Sequence, residues 1–573
     1  HKGRRVVHSV NLRTKAVQQM CWDEHCKGDN KVGKFQLTKK TKKKSKKKKK
    51  TKKTKTTKDE EKKEEHEEKK ETKEEKDKKK THQDIMQEGD MAASSLWMSD
   101  YNRGRALMSN NTTYMWDKNA AIWTIFDGIP GSIVSYQLYE QGIDVGRFGN
   151  ASGIWNHARV SLTVPKEQFA DLLDRKYKYL FPCESEDGKP VVLDLRTGME
   201  APRTQEHMFT FASESHYIPV DKRDEKLVRD LQRILLQIAC EDEDLLKSLQ
   251  SIMGYSLTGE TSAQKFFIWL GSHGSNGKGL LGRAMIQVMG RFLKTVKKAI
   301  MIDSGHQESM EAPNPELLKL KTGRLALTTE IQVTDTINVD MILRLTGEDE
   351  VTARALYQKS EPDRFVTQNK LHGQMNDLPR FPTSSEAFKR RPVIIPFQSI
   401  FVDDDQVAEK QAVIDRREKE DDQSEIISVE YEKVYRKDRT VEDRLKQGGD
   451  LIDLFFSWLV DGAMNYYTDG LYLCEKIKVF TKASVSDQDV VQRFIDEHID
   501  LTHKKADRME PKTIHNNFVS FLGSINNTEK TNYSKKRFDN DLRKKNWQLR
   551  KSNGARFWSG VTFKKSSKFY RFK

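Results

Sequence analysis

The 573-residue chain has only five cysteines, Cys21, Cys26, Cys183, Cys240 and Cys474. So sparse and odd a set excludes a disulfide-built scaffold and fits a reducing compartment. Long apolar runs are missing as well. No stretch approaches the roughly 20 residues that cross a bilayer, so no membrane partner is expected. No charged-then-apolar leader is visible. The chain begins at His1 without an initiator Met, and the expectation is a piece of a longer protein. Apolar residues make up 36% and charged residues 32%, which is polar for a packed protein. Part of the chain is therefore expected to lack a core.

What the chain has in excess is positive charge, unevenly placed. Its net charge is +16. Residues 39–80 hold 23 lysines against 11 acidic residues, and residues 530–573 hold 15 Lys/Arg against two Asp. The middle is mildly acidic. Residues 39–80 contain no aromatic residue, so burial cannot offset their ordering entropy. They are expected to be a disordered Lys/Glu linker. The basic tail is folded in pattern, and a basic folded end favours phosphate backbones.

Residues 1–38 look like a small folded remnant in which VVHSVNL alternates as a strand does. Within residues 81–240, LWMSDYNRGRALMSN and NAAIWTIFDGIPGSIVSYQLYEQ read as amphipathic helices. VVLDLRTG reads as a strand closed by a turn, and residues 225–258 read as helices. From residue 264 to about 400 the pattern alternates. KFFIWL, GRLALTTE, the segment near FVTQNKLHGQMN, and PVIIPF are the expected strands of a largely parallel, helix-covered sheet, an α/β class. Residues 404–440 read as a charged helical insertion and 450–470 as a buried helix. Residues 485–573 read as a compact basic unit of three helices and an aromatic strand pair.

The stretch GSHGSNGKG, residues 271–279, follows the apolar run FFIWL and precedes a helical pattern. Gly271, Gly274, Ser275, Asn276, Gly277, Lys278 and Gly279 are the candidate phosphate cradle. Glycines leave backbone N–H groups open, a helix N-terminus favours negative charge, and Lys278 reaches the outer phosphates. A glycine-rich turn can also bind nothing. The strict four-residue spacing would need Gly at Ser272, and Gly279 stands where a Ser or Thr hydroxyl usually meets Mg²⁺. Water plus a carboxylate can substitute. Glu330 ends an apolar strand and can polarise water or hold a metal through water. LRLTGEDEVTARALY carries Arg344, Asp349 and Arg354 around a Thr-Gly turn. Asn376 ends a strand, and Arg390 and Arg391 precede another.

In this order the segments VVLDLRTGMEAP, LQSIMGYSLTGETSAQKFFIWLGSHGSNGKG, NPELLKLKTGRLALTTE, LRLTGEDEVTARALY, LHGQMNDLP and FKRRPVIIPF resemble superfamily 3 helicases of the primase-helicase type, found in poxviruses, other large DNA viruses, phages and plasmid-like elements. The likeness runs over roughly residues 90–573. It implies a mainly helical domain at 81–240, an AAA+-type P-loop ATPase domain at 241–470 and a winged-helix-like DNA-binding domain at 471–573. It implies ATP and Mg²⁺, with Lys278 on the phosphates, Glu330 on the Walker B strand and Asn376 as sensor. Arg390 or Arg391 would act on a neighbour's nucleotide. Thr346, Gly347, Asp349 and Arg354 match the family's TGGD-x-x-x-x-R segment, with Glu348 in place of the second Gly. Arg344 takes the place of a Lys that commonly precedes it. Residues 353–365 would carry a hairpin facing a central channel, where Arg354 and Lys359 meet DNA.

Residues 1–27 are similar to the end of the zinc-binding module of archaeo-eukaryotic primase-polymerases. That likeness implies His1, Cys21 and Cys26 as ligands of Zn²⁺, with a further Cys before residue 1. His8 and His25 are rival ligands, and two free thiols are the plain alternative. A primase domain would lie upstream. In the tail, Lys535, Lys536, Arg537, Arg543 and Lys544 fall on the third helix, and Arg550, Lys551 and Arg556 on a hairpin with an Asn-Gly turn. They read as sequence-independent phosphate contacts. The expected function is an ATP-dependent DNA helicase, a homo-hexamer on single-stranded and forked DNA. It would work with other replication proteins inside a viral replication compartment or the host cytoplasm or nucleus. Two other readings stay open. One is a DNA- or origin-binding scaffold whose loop is degenerate at Gly279. The other is a translocase that hydrolyses NTP without separating strands.

Overall fold

A computed structural model describes residues 6–11, 16–21, 32–34, 82, 84–85, 89–144, 148–271, 274–303, 313–356, 361–382, 385–420, 432–446, 449–502, 504, 506–525, 533–552 and 554–569. Only the backbone is described for the strands before residue 35 and for residues 148, 149, 330, 417–420, 446 and 487. The chain forms two units, residues 1–80 and 81–573. In the first, β1 (Val6–Asn11), β2 (Ala16–Cys21) and β3 (Val32–Lys34) make an antiparallel sheet in chain order. The strand expected at VVHSVNL is β1. The Lys/Glu tract expected to be a linker lies outside the described residues.

The second unit opens with α1 (Asp90–Leu96), which continues as a π-helical stretch, Trp97–Asn102. The chain then turns back on itself as β4 (Ala106–Ser109), β5 (Thr112–Asp117) and β6 (Ile122–Ile125), an antiparallel sheet. Strands thus replace part of the helices expected over 96–110 and 119–141, while Trp97–Asn102 and Gly131–Tyr139 within them are helical as expected. Asn110 and Asn111 both take positive φ, 50° and 59°. That is the backbone of a tight hairpin turn, which asparagine tolerates. The aromatics that suggest a helical face instead pair across strands, with Trp116 opposite Trp123 and their rings 5.5 Å apart. Helices α2 (Gly131–Tyr139) and α3 (Phe148–Leu162) follow and help bury Trp97.

A second meander, β7 (Leu180–Glu184), β8 (Pro190–Asp194) and β9 (Met199–Pro202), contains the strand and Thr-Gly turn expected at VVLDLRTG. Among the described residues of 81–240 six strands stand beside the helices, so the region is mixed rather than mainly helical. The Arg203 guanidinium ties the two meanders together. It donates to the carbonyls of Ala120 and Ala121 at 2.8 and 3.0 Å and to those of Cys183 and Val191 at 3.2 Å. The expected helices α4 (Glu225–Ile238) and α5 (Glu243–Leu257) are each capped by an aspartate. Asp224 accepts from Leu227 N and Asp242 from Leu245 N.

The centre is a five-stranded, wholly parallel sheet of β10 (Phe266–Leu270), β11 (Leu293–Thr295), β12 (Leu325–Ile331), β15 (Lys370–Met375) and β16 (Pro392–Pro396). Its order is β11-β12-β15-β10-β16. A short antiparallel hairpin, β13 (Glu350–Ala353) and β14 (Asp363–Val366), interrupts it. The four expected strands are all present, while the three-residue edge strand β11 carries no pattern long enough to read. Phe267, Trp269, Val393 and Ile395 face one core, Phe266, Ile268, Leu371 and Ile394 the other. Burial on both faces is why these strands are continuous apolar runs. Helices α6 (Lys278–Met289) and α7 (Val339–Thr346) cover opposite faces.

The charged segment holds β17 (Ser399–Val402), α8 (Val407–Glu420), β18 (Lys433–Arg436) and α9 (Arg439–Lys446). Strands β17 and β18 pair in parallel, so the segment is not purely helical. The expected buried helix is α10 (Asp450–Asp469), packed on α5 through bare glycines. A Cβ on Gly254 would stand 2.4 Å from backbone atoms of Gly462 and Ala463. After α11 (Glu475–Asp487) come α12 (Val490–His498), β19 (Ile499–Leu501), β20 (Arg508–Met509), α13 (Pro511–Ser524) and α14 (Lys535–Lys544). The last strands are β21 (Leu549–Ser552), β22 (Ala555–Ser559) and β23 (Val561–Phe563). The three helices and aromatic hairpin match the expectation, and Phe494, Phe518, Phe538 and Trp558 are their core. No described helix is long and apolar enough to cross a membrane.

Replacing Gly254 by Val forces α5 and α10 apart, at a cost of about 3 kcal/mol. Urea or thermal unfolding will show the lower midpoint. Gly274→Ala, whose added Cβ meets nothing within 4 Å, will leave that midpoint unchanged.

Candidate functional site

Strand β10 lies where the chain order of the sheet reverses, between β15 and β16. In open parallel sheets the crevice beyond the carboxyl ends of such strands is where ligands bind. Gly271 and residues 274–277 lie at that place, and α6 starts there at Lys278. Gly277 has φ 83°, a left-handed conformation natural to glycine. Gly271 has no room for a side chain, since a Cβ would stand 2.0 Å from Asn276 Nδ2. Gly274 faces open space. Asn276 is buried beneath the loop, and Ser275 O accepts from Phe401 N at 2.9 Å, which anchors the loop to β17. Ser272 lies outside the described residues.

Lys278 is 8% exposed. Its Nζ donates to Gly271 O and Met375 O, both at 2.9 Å, and to Asn376 Oδ1 at 3.1 Å. Burial pushes the Lys278 amine down to about 8, against the opposing pull of the Asp377 carboxylate. The structure thus joins Lys278 and Asn376, remote in sequence, at the ends of neighbouring strands. Glu330 stands near the end of β12, where the pairing with β15 shifts register between Thr328 and Ile331. Such irregularities re-aim side chains at sheet ends. The Glu330 side chain lies outside the described structure.

The two arginines after residue 389 separate. Arg391 is buried, with Nη1 donating to Thr346 O at 3.0 Å and Gln264 O at 3.3 Å. Burial, and then the charge of Arg390, lower its pKa. Arg390 is exposed. In the TGED turn, Glu348 has φ 64° and accepts from Thr261 Oγ1 at 3.1 Å. Arg344 and Asp349 are exposed, and Arg354 follows β13 at the foot of the hairpin. The hairpin tip with Lys359 lies outside the described residues.

Sequence reasoning missed a cavity of about 610 Å³ beside the loop. Ser275, Gly277 and Gly279 form one wall, Ile234 and Ile238 of α4 another, and Phe401 a third. Residues 436–439, at the end of the segment that sequence alone presents as a charged helical insertion, and 441–443 line its remaining side. The one readable signal is the pair Ile234 and Ile238, spaced four apart on the face of α4.

In the tail, Lys535, Lys536, Arg537, Arg543, Lys544, Arg550, Lys551 and Arg556 are all exposed. Lys535 pairs with Asp539 at 2.9 Å, Lys544 with Asp541 at 3.6 Å, and Arg537 lies 4.1 Å over the Tyr533 ring. Lys551 faces Arg556 directly across the hairpin. Like charges opposite each other destabilise a hairpin, so this pair works against the fold unless a polyanion lies on it. Lys545, by contrast, turns inward to Asp489 and Gln492, both at 2.8 Å. At the other end, Cys21 closes β2, and His1, Cys26 and His25 lie outside the described residues, so the zinc set stays an expectation. His8 lies in β1 opposite Gln19. Among the described residues no three potential ligands gather to hold a metal.

No family model matches the chain. Over 219 residues, 38% of this chain and 22% of the relative, it is 27% identical to a protein provisionally named a helicase in Acanthamoeba polyphaga mimivirus. Over 136 residues it is 32% identical to proteins named likewise in Frog virus 3 (isolate Goorha) and Invertebrate iridescent virus 3. Each of those two matches covers 23% of this chain and 14% of the relative. The chain thus matches less than a quarter of the length of these curated relatives. A solved structure of the apo NrS-1 C-terminal region aligns over 79% of this chain and 95% of that chain, at 10% identity and a TM-score of 0.35. Part of this chain is therefore similar to part of helicase-named proteins of large DNA viruses.

With its amine pushed down to about 8, Lys278 loses its charge as pH rises through that value. Tripolyphosphate bound there will weaken by about tenfold per pH unit above 8. Calorimetry across that range checks it, with Lys278→Met as the variant whose affinity stays flat.

Proposed function

We propose that the chain is the motor part of an ATP-dependent DNA helicase of superfamily 3 type, acting as a hexameric ring in viral DNA replication. One observation carries the reading. The Lys278 ammonium and the Asn376 amide meet at the ends of adjacent parallel strands, on a glycine loop that opens a helix. The partial likeness to helicase-named viral proteins supports it, and so does the parallel sheet expected of an AAA+-type P-loop domain.

In this reading the loop N–H groups and the positive end of α6 receive the phosphates of ATP. Lys278 exchanges the carbonyls of Gly271 and Met375 for phosphate oxygens, and contact with anion restores its full charge. Asn376, already at Lys278, orients the attacking water at the outer phosphate. Glu330 accepts the proton from that water. Arg390 reaches the nucleotide of a neighbouring subunit, since Arg391 is held by backbone carbonyls. Gly279 offers no oxygen, so Mg²⁺ would rest on phosphates and water with Glu330 or Asp377, a sparse set that suits this ion. The ion supplies neutralisation of developing charge. Hairpin β13–β14, with Arg354 and Lys359, would follow single-stranded DNA. The tail from α12 to β23 would be a winged-helix-like clamp on the phosphate backbone. Residues 1–38 would be the end of a zinc module joined to an upstream primase.

Gly279 favours one competing reading, a DNA-binding scaffold with a silent loop. ATP hydrolysis with and without single-stranded DNA decides between them. DNA-stimulated turnover that Lys278→Ala abolishes supports the motor. DNA binding without turnover supports the scaffold. Turnover without displacement of a forked duplex would make the chain a translocase.

Two further outcomes follow from the geometry. Arg390→Ala will lower kcat by about 10³-fold with an unchanged unfolding midpoint, whereas Arg391→Ala will lower the midpoint itself. Replacing Arg550, Lys551 and Arg556 together by Ala will reduce the steepness of log affinity against log salt by about 2 to 3 for any DNA sequence.

A further inference from the structure

The missing hydroxyl at position 279 has a structural counterpart one helical turn away. Arg283 stands four residues after Gly279 on α6, so the two share a face, and a helical side chain leans toward the N-terminus. A Cβ added to Gly279 would stand 3.1 Å from Arg283 Nη1, which shows the guanidinium lying over the bare backbone. Both residues line the cavity beside the phosphate loop. Arg283 Nε meets Glu442 Oε1 of α9 at 3.1 Å, with side chains 48% and 37% exposed. An ion pair that open to water holds weakly. A polyphosphate in the cavity would compete for the guanidinium with several charges against one, and a guanidinium matches phosphate in a forked geometry.

We propose that Arg283 is a phosphate-binding residue of this cavity, reaching over Gly279 to the phosphate chain of a nucleoside triphosphate and leaving Glu442 to do so. The proposal rests on the nucleotide reading of the loop. A side chain at position 279 would then crowd the guanidinium and press it off that path. A cation placed on the helix supplies charge that the site otherwise draws from the metal.

Calorimetric titration of the full chain with ATP tests this, once with Mg²⁺ and once with EDTA. Arg283→Ala will weaken binding about tenfold in both buffers, and Arg283→Lys will weaken it less. Glu442→Gln will strengthen binding, because it releases the guanidinium. Gly279→Ser will weaken binding, and will add nothing in the background of Arg283→Ala. Arg283 is half exposed, so its variants keep the wild-type unfolding midpoint. Binding by Arg283→Ala within about twofold of wild type, or tighter binding by Gly279→Ser, overturns the proposal. Lys278→Ala separates the levels. If it loses ATP while Arg283→Ala does not, only the role of Arg283 falls. If it binds ATP as wild type does, the nucleotide reading of the loop falls and this proposal with it.

Discussion

A lysine ammonium buried to 8% exposure is costly unless each N–H finds an acceptor. Lys278 meets that condition with three, and all three belong to the ends of two neighbouring strands. Much of the molecule serves to keep those strand ends in place. The parallel sheet holds β10 and β15 in register from Phe266 and Leu371 to Leu270 and Met375. Cores on both faces make that register rigid, because a slip of one residue would exchange the two faces. The Lys278 ammonium is therefore held in one direction, toward the carbonyls of Gly271 and Met375 and the side chain of Asn376.

The same device recurs where the sheet joins the segments around it. Arg324, fully buried ahead of β12, donates to the carbonyls of Tyr177, Leu180 and Leu257 and lies 4.6 Å over the Phe292 ring. Burial pushes its pKa down to about 10, which leaves it charged at neutral pH. Lys370, at the start of β15, reaches the carbonyls of Thr258 and Gln368. Complete burial pushes the Lys370 amine well below the ordinary lysine range. Buried basic groups bonded to carbonyls fix how the upstream meander and α5 meet the strands, since removing an acceptor leaves a buried donor unpaired. Basic side chains thus stand at both ends of the sheet, Arg324 and Lys370 at the start and Lys278 at the finish.

The strands that build the site were legible because parallel strands buried on both faces are written as continuous apolar runs, FFIWL and PVIIP among them. The glycine loop was legible because three of its glycines each answer a different demand of space or conformation. Three things were not. Residues 106–125 carry aromatics at spacings that also fit a helix, and only the Asn110-Asn111 turn decides for strands. Arg390 and Arg391 look alike in sequence, and what separates them is the carbonyls of Thr346 and Gln264, which only the tertiary fold brings near. The outer wall of the cavity was hidden for the same reason, since it depends on β18 pairing in parallel with β17 across the charged segment.

If the chain is a nucleotide-driven motor, phosphate replaces carbonyl at Lys278. The direct measurement is an experimental structure of the chain with a non-hydrolysable ATP analogue. Nζ of Lys278 is expected within hydrogen-bond distance of the outer phosphates, its contacts to Gly271 O and Met375 O broken, and Asn376 beside the terminal phosphate. An analogue bound elsewhere, with Lys278 still on those two carbonyls, would contradict it.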